Sequence, residues 1–268
     1  VSWAVLLADL ARLKREALAL RGVHGAALGD EAALHAAFTS ALGKIRMVFH
    51  PIISISERRS IGFEALMRSG EPTLANPEAL INTAELLNRV GELTHAVYSE
   101  IARRAAALPP GRLLFVNVHP PDLLEPALHG IGSPLAPFAD RIILEITERT
   151  SIEKMGDLSG VVADLRRLNY RLAVDDLGTG YAGLASFTQL NPEFVKLDRS
   201  LVEGIDTNPV KQRVVRAMNA LCADLKMRVI SEGVETNAEK DMLRSLGADL
   251  IQGYVFGRPA AEFVEPRL

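Results

Sequence analysis

The sequence predicts an α/β fold: a TIM-like (β/α)8 barrel with an antiparallel first strand, preceded by an N-terminal linker helix. Three observations predict it. About eight short apolar runs alternate with longer helical patterns, the strand–helix–strand order of parallel βαβ units. Most of those runs end on one polar or charged residue. The first two runs are separated by a turn around Glu57-Arg58-Arg59, too short for a helical crossover, so they pair antiparallel.

Taken in order, Trp3, Leu6, Leu10, Leu13, Ala17 and Leu20 alternate by three and four. That is the seam of a coiled coil or the face of an amphipathic helix lying on its own domain. RGVHGAALGD then interrupts the pattern with glycines, and EAALHAAFTSALG restarts a helix. The expected division is an N-terminal helix and linker over 1–29 and one domain over 30–268. The strands expected within it are RMVFHPIIS, SIGFEALMR, RLLFVNV, RIILEIT, RLAVDD, FVKLD, RVISEG and LIQGYVFG. Helical spacing fills PEALINTAELLNRVGELTHAVYSEIARRAAAL, DLSGVVADLRRLN and PVKQRVVRAMNALCADLKM.

Composition bounds the function. The chain has 268 residues, 48% hydrophobic and 24% charged, with net charge −3, so no basic field points to a nucleic acid polymer. The single Cys222 excludes an intrachain disulfide and a multi-cysteine zinc site, and its helical setting reads as a buried thiol. No apolar stretch reaches the roughly 18 residues of a membrane span. WAVLLADLARLKREA resembles a signal sequence, but Asp9 interrupts it and no small-residue cleavage site follows. The chain reads as soluble and cytoplasmic. Beginning at Val1 without methionine, it also reads as the cytoplasmic part of something longer, with room for an upstream sensor domain acting through the first helix.

The polar residues at the strand ends carry the chemistry. Glu64, Asn117, Glu145, Asp175, Lys196, Glu232 and Gln252 come from seven different runs. Polar groups at the C-terminal ends of barrel strands are where this architecture builds its sites. Glu145 is enclosed by Ile142, Ile143, Leu144 and Ile146, and a lone carboxylate there is costly to bury unless paired or metal-bound. Glu64, Glu145, Asp175, Asp176 and Glu232 bring five negative charges against the one of Lys196, a formal −4. Two divalent cations would balance it. The donors are all oxygen, which suits Mg²⁺ or Mn²⁺. Adjacent Asp175 and Asp176 would let one loop serve both ions, as in paired-metal attack on phosphodiesters.

FEALMR at 63–68, FVNV at 115–118, LEITE at 144–148, DDLGTG at 175–180, VKLDRS at 195–200, SEGVE at 231–235 and QGYVFGRP at 252–259 resemble the EAL domain. That family comprises bacterial phosphodiesterases that linearise cyclic di-GMP to pGpG. The resemblance implies that Glu64, Asn117, Glu145 and Asp175 ligate metal and that Asp176 completes a second site. It implies that Lys196 orients the attacking water and that Glu232 acts as general base or holds a metal-bound water. Glu235 and Gln252 would support the second metal and its water, and Leu66 and Arg68 would contact substrate, Arg68 through a phosphate. Glu148, with Gly178 and Thr179, would couple the DDLGTG loop to a homodimer interface.

Two departures stand out. Leu177 replaces the phenylalanine usual in that loop, and His50 stands where glutamine is common. His50 and His119 read as packing or hydrogen-bonding residues rather than ligands. The alternative to the enzyme is a catalytically silent cyclic di-GMP receptor, although none of the acidic ligands or the lysine is missing. A scaffold protein would leave the charged pocket unexplained, and another two-metal phosphohydrolase would leave the motif match unexplained.

Overall fold

A computed structural model describes residues 26–119, 122–123, 128, 130, 132–147, 158–178 and 183–266. The coiled-coil pattern over the first 22 residues lies outside them. Among the described residues no helix is long and apolar enough to cross a membrane. Two compact units emerge. One takes the chain up to Arg46 together with Met67–Val97, and the other takes Met47–Leu66 and Tyr98 onward.

In the first unit, helix α1 (Ala26–Leu42) runs through Gly29 and starts before the expected restart at Glu31. A helical glycine costs only about 1 kcal/mol relative to alanine, and its neighbours here are helix formers. The expected continuous helix from Pro77 to Leu108 is two, α2 (Pro77–Leu86) and α3 (Val90–Ala105). Asn88 breaks it by adopting φ +54°, a left-handed conformation that asparagine tolerates better than most residues. The start of α2 is legible locally: the Asn76 side chain accepts the Glu78 N–H, and Pro77 opens the first turn. Phe38, Ala41, Leu74, Leu80, Ala84 and Leu93 form the core of this unit.

The second unit is built on a closed eight-stranded barrel in sequential order. The barrel strands are β1 (Ile45–Ser54), β2 (Arg59–Ser69), β3 (Leu113–Val118), β4 (Ile142–Thr147), β5 (Arg171–Leu177), β6 (Phe194–Leu197), β7 (Arg228–Ser231) and β8 (Leu250–Ile251), the first two residues of β1 and the last three of β2 being counted with the first unit. Strands β2 to β8 pair in parallel, and β1 closes the barrel antiparallel to β8. The described helices that follow β4 are α4 (Ser159–Arg167), α5 (Gly183–Leu190), α6 (Arg199–Val202), α7 (Pro209–Asp224) and α8 (Asn237–Ser245). The run LIQGYVFG is a strand only at its first two residues. After Ile251 the backbone turns so that the Val234 N–H donates to the Gln252 carbonyl, 3.2 Å away. A single 3-10 turn, Tyr254–Phe256, follows.

One buried cluster draws a residue from each strand: Ile52, Ile61, Phe115, Ile143, Ala173, Phe194, Ile230 and Leu250. Phe115 and Phe194 meet edge-on with ring centroids 5.1 Å apart, the arrangement aromatic quadrupoles favour. This cluster is the floor on which the polar site stands.

Candidate active site and metal centre

Side chains alternate along a strand, so the residue two positions beyond each floor residue points the same way, about 6.6 Å further up. On β3 to β6 and just after β7 and β8, those residues are Asn117, Glu145, Asp175, Lys196, Glu232 and Gln252. Strand β2 contributes Glu64, three residues after Ile61, in register with inward-facing Phe115. Strand β1 runs the other way, so its contribution is counted backwards from Ile52 and is His50. Eight strands, rather than the seven read from the sequence, therefore supply the polar layer.

Lys196 is its centre. Its side chain is 1% exposed, and Nζ lies 2.7 Å from Glu232 Oε1, 2.8 Å from Glu145 Oε1, 3.2 Å from Asp175 Oδ1 and 3.5 Å from Glu64 Oε1. Burial alone would favour the neutral amine. Asp175, Glu145, Glu232 and Glu64 outweigh it and hold the ammonium pKa well above its ordinary value. Burial also pushes the Glu145 carboxyl well up, against the pull of Lys196. Among the described residues the one close polar contact of the Glu145 carboxylate is Lys196 Nζ, 2.8 Å from Oε1. Burial, with Asp175 and Glu64 adding to it, pushes Glu232 up to about 8 although Lys196 opposes the shift.

Glu64 is held differently. Gln252 Nε2 donates to its Oε2 at 2.8 Å and Asn117 Nδ2 to its Oε1 at 3.2 Å. Burial would raise this carboxyl, but Lys196, then Gln252 and Asn117, bring it below the usual range. His50 is 8% exposed, with Nε2 3.2 Å from the Gly257 carbonyl and its ring 5.9 Å from that of Tyr254. Burial lowers the His50 pKa, and the nearby Glu64 resists the shift. The antiparallel direction of β1 was the signal for His50, since it alone turns Ile52 minus two into a member of the layer.

Two adjacent aspartates on a regular strand would point to opposite faces. Here the β5–β6 register shifts between Val174 and Leu177, and Asp176 takes φ +59°. This left-handed bulge residue brings one carboxylate oxygen from each of Asp175, Asp176 and Glu232 within 4.8 Å of one another. Gly178 follows with φ +116°, and a Cβ there would fall 2.7 Å from Leu201 Cδ1. Leu177 is buried and paired with Leu197 of β6.

The exposed Glu235 carboxylate pairs with Arg199 Nη1 at 2.9 Å. Arg68 falls in the first unit and donates to its neighbour's carbonyl, Met67 O, at 2.7 Å. Leu66 is half-buried and His119 exposed, and Glu148 and Thr179 lie outside the described residues.

The donor set tests well against hard divalent cations. It is all oxygen, it carries more negative charge than Lys196 neutralises, and it includes a fully buried carboxylate, Glu145, whose close polar contact among the described residues is Lys196 alone. The family model described as the EAL domain matches residues 31–259. The chain belongs to the EAL domain family. This EAL domain is 29% identical to the probable cyclic di-GMP phosphodiesterase PdeN of Escherichia coli K12, over 80% of this chain and 43% of that protein. It thus spans under half of that relative's length. A manganese/cyclic di-GMP complex of Klebsiella pneumoniae BlrP1 superposes with a TM-score of 0.73 at 30% identity, covering 83% of this chain and 58% of that one. Its calcium/cyclic di-GMP complex gives 0.71 at 31% identity, over 82% and 57%.

Proposed function

We propose that this EAL domain hydrolyses cyclic di-GMP to linear 5′-pGpG with two divalent cations, Mg²⁺ or Mn²⁺. The observation that carries the reading is the buried Lys196 ringed by Glu64, Glu145, Asp175 and Glu232, with Asp176 turned back towards Asp175 and Glu232. PdeN is named for cyclic di-GMP phosphodiesterase activity, and the BlrP1 complexes hold cyclic di-GMP with manganese or calcium; both support the substrate class.

Glu64, Asn117, Glu145 and Asp175 would hold one cation, and Asp176 with Asp175 the other. Bound cations supply neutralising charge, polarise a phosphate oxygen and acidify water. The chain's own groups do the rest. Lys196 stays protonated and fixed by its carboxylates, so it presents N–H donors that orient a water without leaving its place. Glu232, pushed up to about 8 by burial, would be basic enough to accept a proton from water once the charge of bound cations has displaced its own. Gln252 and Asn117 hold the Glu64 carboxylate in one orientation, the service outer-shell donors perform for ligands.

The test is incubation of the chain with cyclic di-GMP, with and without Mn²⁺, followed by chromatography. Metal-dependent pGpG, lost on chelation and recovered on adding metal back, is expected. Saturable binding of intact dinucleotide without product would instead make this a receptor.

A further inference from the structure

In a regular (β/α)8 barrel each strand is followed by a helix. Among the described residues β8 is followed only by the 3-10 turn Tyr254–Phe256 and an extended tail. That tail runs back along the β1–β2 hairpin, where Ala260 bridges Phe49 and the Glu265 carboxylate accepts from Ser60 Oγ at 2.7 Å. Between α8 and the β1–β2 turn a cavity of about 710 Å³ remains. It belongs wholly to the second unit. It also lies outside the barrel, because Ile53 on its wall follows Ile52 of the inner cluster, and consecutive strand residues face opposite sides.

The two walls of the cavity differ in chemistry. Ile53, Ile55, Val255 and Phe256 make one of them apolar. The other is a face of α8, where Asn237, Lys240, Asp241 and Arg244 recur at steps of three and four. Lys240 Nζ donates to Asn237 Oδ1 at 2.7 Å, and an ammonium carries three donors, more than this contact uses. Asp249 also lines the cavity, but its carboxylate is engaged, accepting from the Ser56 N–H at 2.9 Å and from Ser54 Oγ at 3.0 Å. Arg58, from the turn, joins Lys240 and Arg244, so three cations face Asp241 and the lining favours an anion.

A concavity of roughly 300–1,000 Å³ with an apolar surface and a few placed polar groups is the form small-molecule sites take. We infer that this cavity binds a nucleoside monophosphate. Its ring system would lie against Phe256 and the aliphatic wall, its phosphate on Arg244 and Arg58, and its sugar hydroxyls on Asp241 and Asn237. Guanidinium forks suit phosphate oxygens, and an aromatic ring stacks on another. An aliphatic chain with an anionic head would give Asp241 and Asn237 nothing to bind. The site is separate from the one around Lys196, and the inference does not rest on the proposed hydrolysis.

Titration calorimetry of the full chain with 5′-AMP, in EDTA so that no cation occupies the barrel, tests it. Saturable one-to-one binding is expected, with adenosine and inorganic phosphate each about 10-fold weaker or more. Arg244 is exposed, so Arg244→Glu should keep the parent's unfolding temperature. It should nevertheless weaken AMP by about 10- to 100-fold, the loss of a charge-assisted contact. Phe256→Ala should weaken AMP and leave phosphate unchanged, and Glu64→Ala, inside the barrel, should bind AMP as the parent does. Absence of saturable AMP binding overturns the inference. So does phosphate bound as tightly as AMP, or binding that Glu64→Ala abolishes and Arg244→Glu leaves intact.

Discussion

Lys196 shows how one residue holds this site together. In the absence of cations its ammonium lies within 3.5 Å of four carboxyl groups, and taking away one partner of a buried ion pair costs about 3–5 kcal/mol. Lys196→Met is therefore expected to lower the metal-free unfolding temperature, with added Mn²⁺ recovering part of the loss while turnover stays crippled. Calorimetry with and without metal checks the first part and product analysis the second. Glu64→Ala should abolish turnover. Gln252→Ala should act one step removed, freeing Glu64 Oε2 and weakening metal binding by about 10- to 100-fold; titration calorimetry reads that directly. Near-normal affinity would remove Gln252 from the supporting shell. Glu232 also sets a pH dependence. Without metal it keeps its proton up to about 8, because burial, aided by Asp175 and Glu64, exceeds the effect of Lys196. Cations held by the adjacent Asp175 and Asp176 would favour the deprotonated carboxylate of Glu232 and displace its proton, so apparent affinity should rise as pH approaches and passes 8, then level off. A flat profile would place Glu232 outside the metal site.

At the scale of elements, the site depends on how strands end. Strand β5 supplies two ligand candidates only because Asp176 leaves the regular conformation. The loop after β7 carries Glu232 and is fastened by Glu239, whose Oε1 accepts from Gly204 N–H and whose Oε2 accepts from the Glu235 and Thr236 N–H groups. The same residue completes the capping box of α8. Against this loop Gly253 is packed so closely that a Cβ would fall 2.0 Å from Val234 O. Backbone cannot retreat as a flexible side chain can. Gly253→Ala is therefore expected to destabilise by about 1–3 kcal/mol, the range of overpacking, and to displace neighbouring Gln252. Denaturant unfolding measures the first effect and metal affinity the second. Among the elements, the helical runs and barrel strands were largely legible, since periodicity is a local property. The break at Asn88 was not, and neither was the shortness of β8. Both are decided by backbone conformations and partners that periodicity does not report.

At the scale of the barrel, closure turns separate strand ends into one charged cluster around Lys196. The folded state should bind divalent cations far better than the unfolded chain, where the proposed ligands are scattered from Glu64 to Asp176. Saturating a site about 100-fold above its Kd adds about 2.7 kcal/mol. Mn²⁺ should accordingly raise the unfolding temperature of the intact protein, and a Glu145→Ala variant should lose most of that rise. An equal rise in the variant would show that the cation binds elsewhere.

The sequence by itself determined the barrel, the antiparallel start and the polar residues at successive strand ends, and its motifs marked the family. Those properties are local: alternation, turn length and residue type are written within a few positions of each other. Only the tertiary structure decided that Lys196 is the hub, that His50 joins the layer and that Asp176 turns back beside Asp175. It also directed Glu235 to Arg199. Each of these depends on strand direction, a left-handed bulge or a partner far away in the chain, and two-residue alternation carries none of that information.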